Sequence, residues 1–114
     1  LYSFSVTGTA TDVEDEFGSI LPLTFSLAQN YPNPFNPTTR IEFELPRSEK
    51  ATIRVTNVLG ETVATLLDEV LAAGRHVVEW RGTDRSGKSV PSGVYLYSLK
   101  AGEFSDVRKM ILLK

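Results

Sequence analysis

The sequence predicts an all-β fold, a two-sheet antiparallel sandwich of seven short strands. Three observations carry that expectation. Ile41, Phe43 and Leu45 alternate with Arg40, Glu42 and Glu44, the period-two pattern of a sheet with one dry and one wet face. Turn residues then punctuate apolar stretches at short intervals from residue 21 onward. Finally, 114 residues suffice for one buried core, and with no cysteine the fold has no disulfide staple and no thiolate chemistry.

The elements follow in order. Residues 1–10 alternate weakly, with Tyr2, Phe4 and Val6 against Ser3, Ser5 and Thr7, like the last strand of a preceding domain. Residues 11–19 hold Asp12, Glu14, Asp15 and Glu16 with no Lys or Arg and are broken by Gly18, a composition that solvates better than it packs. The chain thus divides into a preceding region and acidic linker (1–21) and a sandwich domain (22–114). It opens on Leu1 and lacks the basic region and apolar core of a signal peptide, which marks it as a piece of a longer protein.

Residues 24–29 form the first strand. The prolines at 32, 34 and 37 then fix φ, remove backbone donors and push Tyr31, Asn33 and Asn36 out of helical geometry, so this run is a stiff extended ridge. The second strand is 38–45, closed by Pro46, and the third is 51–57, with Ala51, Ile53 and Val55 on one face. Residues 58–61 turn the chain, Gly60 being free to take positive φ.

The fourth strand is 62–68, although Val63, Leu66, Leu67 and Val70 also have helical spacing and leave a helix over 62–73 as the alternative. The fifth, 75–81, puts His76, Val78 and Trp80 on one face, with Trp80 as the core anchor. After the polar loop 82–93, residues 94–101 are apolar on both faces, as in a central strand. A turn at 101–103 leads to the last strand, 104–113.

Several motifs look chemical. Gly82-Thr83-Asp84-Arg85-Ser86-Gly87-Lys88-Ser89 matches the phosphate-loop spacing G-x-x-x-x-G-K-[ST]. That loop works by opening a helix whose amides face the phosphates, and here Pro91 and Gly93 oppose a helix, so a polar hairpin loop is expected. His76, the one histidine, shares its face with Val78 and Trp80 and reads as a packing residue with one hydrogen bond. The acidic run does not have calcium-loop spacing. Asn36-Pro37-Thr38 has proline in the middle position and is no glycosylation site, and Glu42 and Glu44 lie on a wet face.

No enzyme, cofactor or metal site is expected. A net charge of −2 gives no reason to expect nucleic acid, and no run approaches the ~18 apolar residues of a membrane-spanning segment. The chain stops directly after the hydrophobic strand around Lys109, Met110 and Lys114, whose edge is open to pairing with a partner.

The run Leu27-Ala28-Gln29-Asn30-Tyr31-Pro32-Asn33-Pro34-Phe35-Asn36-Pro37-Thr38-Thr39 resembles the opening of the type A C-terminal sorting domain of type IX secretion cargo in Bacteroidetes and related bacteria. The resemblance continues through Asn57-Val58-Leu59-Gly60-Glu61-Thr62-Val63, Ala73-Gly74-Arg75-His76-Val77-Val78-Glu79-Trp80, Pro91-Ser92-Gly93-Val94-Tyr95 and the terminal Lys109-Met110 to Lys114. It departs at Asn57, where the family often has Asp, and at Glu61, where it often has Arg. The middle of the domain is also similar, without the proline motif, to the immunoglobulin-like part of flagellar hook-capping proteins.

The resemblance implies an immunoglobulin-like sandwich acting as a non-enzymatic address label. It implies a cargo domain ahead of this one, exported to the periplasm by a separate signal and then carried to the cell surface or beyond. The implied partners are the outer-membrane translocon and a sortase-like peptidase, which would cut among Asp12, Glu14, Asp15, Glu16 and Gly18. The expected recognition residues are the ridge (Tyr31, Pro32, Asn33, Pro34, Phe35, Asn36 and Pro37), the turn at Leu59 and Gly60, and Lys109, Met110 and Lys114. The competing reading is a generic binding or adhesion module that works through its loops.

Overall fold

Period-two patterning decides which side chains go inside, and the computed structural model follows it through residues 21–114, the part it describes. The strand-like stretch 1–10 and the acidic residues Asp12, Glu14, Asp15 and Glu16 with Gly18 lie outside the described residues. The strands are β1 (Ser26–Leu27), β2 (Thr39–Leu45), β3 (Glu49–Thr56), β4 (Thr62–Leu71), β5 (Gly74–Trp80), β6 (Gly93–Ala101) and β7 (Phe104–Leu112). They form two antiparallel sheets, one ordered β1-β2-β5 and the other β4-β3-β6-β7. No described residue is helical.

The core lies between the sheets. Ile41, Phe43 and Leu45 enter it from β2, Ala51, Ile53 and Val55 from β3, and Tyr95, Tyr97 and Leu99 from β6. Met110 and Leu112 complete it from β7. Trp80 is buried at the end of β5, tilted against Phe35 and edge-on to Tyr95. His76 is half-buried on the same face, stacked on Phe43, with Nε2 placed 2.8 Å from the Ala72 carbonyl oxygen.

Two expectations change. The strand at 24–29 shrinks to Ser26–Leu27, because Phe25 leaves the ladder to stack on Phe104 beneath the Arg47 guanidinium. The fourth strand instead lengthens to Leu71, which pairs with Glu49. The helical spacing within it has a structural cause. Register shifts opposite β3 leave Leu66 and Val63 as extra residues, so the inward partners of Ile53 and Val55 are Leu67 and Ala64, three apart. Such bulges turn a spacing of two into a spacing of three. β6 is central in its sheet, yet its second apolar face, with Val94 and Leu96, stays partly open.

The sandwich has two distinct ends. At one end the Phe25–Phe104 stack receives the chain. At the other end stand the proline ridge, the turn after β3, the loop after β5 and the close of β7. The registers Thr39↔Trp80, Thr56↔Leu96 and Gly93↔Leu112 place them together.

Candidate functional site

The second end is built from the inside out. Two buried polar residues, Asn30 and Thr39, tie the ridge down. Asn30 N–H donates to the Tyr97 hydroxyl (2.8 Å), which in turn donates to the Ala28 carbonyl (2.7 Å). Asn30 Nδ2 donates to Thr39 Oγ1 (2.9 Å), and that hydroxyl donates to the Pro32 carbonyl (2.8 Å). A ridge containing prolines has few donors of its own, so side chains of the neighbouring strands provide the bonds. Burial raises the Tyr97 pKa, which keeps its proton on the oxygen, opposed by its hydrogen bond from the Asn30 backbone and by the Arg108 charge.

The ridge also closes the outer edge of β7. Phe35 N–H donates to the Ile111 carbonyl (2.9 Å) and the Phe35 carbonyl accepts from Leu113 N–H (3.0 Å), a parallel bridge. Asn33 Oδ1 accepts from Ile111 N–H (3.0 Å), and Gln29 Nε2 donates to the Lys109 carbonyl (2.7 Å). The terminal edge on which partner pairing was expected is therefore taken up, from Lys109 onward, by the chain's own residues. Gly82 lies under this closure with φ near +70°, where a Cβ would come within 3.3 Å of Leu112 Cδ2 and of the Pro37 carbonyl.

The expected recognition residues divide sharply. Phe35 is 2% exposed and Met110 fully buried, so both are core. Tyr31 is 79% exposed, and Pro32, Asn33, Pro34, Asn36 and Pro37 also face solvent. Leu59, 81% exposed, sits at the tip of its turn beside Gly60, whose φ is +86°. Asn57 wires that turn: its Oδ1 accepts from Leu59 N–H (2.9 Å) and Glu61 N–H (3.0 Å), and its Nδ2 donates to Glu61 Oε1 (2.7 Å). Lys109 and Lys114 are exposed. The ridge, the turn and Lys114 share one end, and Lys109 lies a few residues along β7.

Between the turn and the loop after β5 lies an open cleft of about 720 Å³, with Glu61, Asp84, Arg85 and Tyr95 in its wall. Its polar groups are largely engaged already. Asp84 Oδ1 accepts from Ser86 N–H (2.9 Å), Ser86 Oγ (2.7 Å) and Lys88 N–H (3.0 Å). The Ser86 hydroxyl, ahead of the Lys88 amide, holds the Asp84 carboxyl below its ordinary pKa. The phosphate-loop motif thus folds around its own carboxylate: amides that would cradle a phosphate are spent on Asp84, and no helix follows. Among the described residues no three His, Asp or Glu side chains group as a metal site would require.

Reading the sequence alone missed Asn30, Thr39 and Tyr97 as the fastening of the ridge. A polar residue directly ahead of the prolines, and tyrosine rather than phenylalanine on an inward strand position, were the available signals.

The family model of the FlgD Ig-like domain matches residues 29–103, well over half of the chain. No curated protein sequence matches. Among solved structures, dimeric latent PorU from Porphyromonas gingivalis superposes with a TM-score of 0.64 at 16% identity, over 91% of this chain and 10% of its own. FlgD from Pseudomonas aeruginosa gives 0.51 at 24% identity, over 65% of this chain and 58% of its own. PorZ, an essential bacterial surface component of the type-IX secretion system of P. gingivalis, gives 0.53 at 18% identity, over 79% of this chain and 11% of its own. At these identities the likeness is one of fold. The chain spans only about a tenth of PorU and of PorZ.

Proposed function

This chain belongs to the FlgD Ig-like domain family, and we propose that it serves as a non-catalytic C-terminal secretion-signal domain of the type IX system. In this reading it directs the protein joined ahead of it through the outer-membrane translocon. A sortase-like peptidase then cuts before the sandwich, leaving the cargo at the cell surface or outside. One observation carries the reading. Tyr31, Leu59 and Lys114 are exposed at one end, whereas the described chain comes in at the other. An address label has to be readable while its cargo is attached, and no described residue covers Tyr31, Leu59 or Lys114 at this end. The quoted proline and terminal-lysine motifs support the reading, as does a fold shared with PorZ. The role needs no nucleophile, cofactor or nucleic acid.

The test is export of a reporter fused ahead of residues 11–114 in a type IX-competent bacterium, beside a strain lacking the translocon. Reporter at the surface only when the translocon is present is the expected result, and the size of the released product places the cut. Leu59→Ser and Lys109→Ser should each reduce export while leaving the urea midpoint of the domain unchanged. Reporter held in the periplasm of both strains would return the domain to a generic binding or adhesion module.

A further inference from the structure

β5 is the outer strand of the three-stranded sheet, and among the described residues nothing pairs with its far side. Arg40 exchanges both backbone hydrogen bonds with Tyr31, and the Glu42 carbonyl accepts from Ala28 N–H, so these residues aim toward the β1 side. Thr39, Ile41, Phe43 and Leu45 therefore aim at β5, where they face Trp80, Val78, His76 and Gly74. Alternation leaves the N–H and C=O groups of Arg75, Val77 and Glu79 pointing away from the sheet, and no described residue bonds them.

The other edges are shorter or blunted over part of their length. β7 is covered by the ridge from Lys109 onward. β4 is interrupted by its two register shifts, and bulges of that kind twist an edge out of pairing. β1 has two residues, and its Leu27 carbonyl accepts from Arg108 Nε (2.8 Å). β5 instead pairs with β2 through all seven of its residues without a register shift.

The side chains at the open positions are Arg75, Val77 and Glu79, all on the solvent face, with Val77 43% exposed. Rotated about a twofold axis through Val77, this triplet meets itself with opposite charges facing. We propose that β5 is a self-pairing edge whose partner is a second copy of this chain. Antiparallel pairing sets Val77 against Val77 of the second copy and Arg75 against its Glu79. The outward groups then form about six interchain backbone hydrogen bonds, and the two sheets become one continuous sheet.

Charge selects both direction and register. Parallel pairing would put Arg75 beside Arg75, and a slip of two residues would leave each Glu79 with only Arg81 of its own chain, 3.4 Å away, and no cation across the pairing. In the matched register the signs alternate along one row, from Glu44 to Arg75, then to Glu79 and Arg40 of the second copy. Glu44 and Arg75 are already 3.7 Å apart within one chain, and Arg40 already faces Glu79 across β2 and β5. Cross-strand pairs of opposite charge favour such a ladder and like charges oppose it.

Sedimentation velocity of the 114-residue chain over a concentration series tests the inference. A concentration-dependent dimer is expected. Arg75→Glu alone and Glu79→Arg alone each place like charges opposite one another and should raise the dissociation constant about tenfold or more. Mixing those two variants should restore pairing, as a heterodimer. Both positions are exposed, and thermal melts of the variants verify that they fold. A chain monomeric throughout, or a dimer unmoved by both variants, would overturn the inference. It does not rest on the sorting role, since self-association and export are measured separately.

Discussion

The Tyr97 hydroxyl is the smallest unit on which the candidate site depends. It receives Asn30 N–H and gives its proton to the Ala28 carbonyl, and so holds the ridge to β6 from within the core. Tyr97→Phe strands both groups and should destabilise the domain by about 1–3 kcal/mol in urea melts. Asp84 makes a different prediction. Its folded-state pKa is depressed, chiefly by the Ser86 hydroxyl and the Lys88 amide. Its hold on the loop is therefore complete above the ordinary carboxylate pKa, about 4, and is lost as pH falls through the lower folded value. Protection of the Ser86 and Lys88 amides, taken relative to the intrinsic exchange rate at each pH, should fall on acidification through that window, and in Asp84→Asn it should lose most of this pH dependence. The sequence showed at once that Trp80 and His76 share a face, since alternation is local. It did not show where the polar side chains of Asn30 and Thr39 would find partners, because those partners are set by tertiary packing.

Among the elements, the turn after β3 is the most self-contained. Asn57 ties residues 57–61 with its own amide group, and Gly60 takes a φ of +86°. Gly60→Ala forces a side chain into the left-handed region and should cost about 1 kcal/mol, read as a lower urea midpoint. The turn was legible because glycine and asparagine mark such geometry wherever they occur. β4 was only half legible. Two bulges, at Val63 and Leu66, give these residues and Leu67 the spacing of a helix, and nothing in the strand's own residues reveals a register shift imposed by β3. The ridge was legible as stiff and extended. Its use as a seal along β7 was not, because Phe35 and Leu112 lie 77 positions apart and meet only in the folded state.

For the whole molecule, the last strand is structural before it is anything else. Met110 and Leu112 are fully buried. Removing residues 109–114 would empty part of the core and free the ridge, and the truncated domain should lose its cooperative urea transition. Loss of export on that deletion would therefore report unfolding, whereas substitutions at the exposed Lys109 and Lys114 would isolate recognition. The two-layer architecture followed from alternation and turn spacing alone. The division of strands into three and four did not, since order within a sheet is decided by contacts distant in sequence. The separation of the two ends has one further consequence. Strands of seven to nine residues set the Phe25 anchor roughly 25–30 Å from the Leu59 tip. The point where the described chain enters and the tip formed by Leu59 are thereby a strand's length apart, like the two ends of a handle.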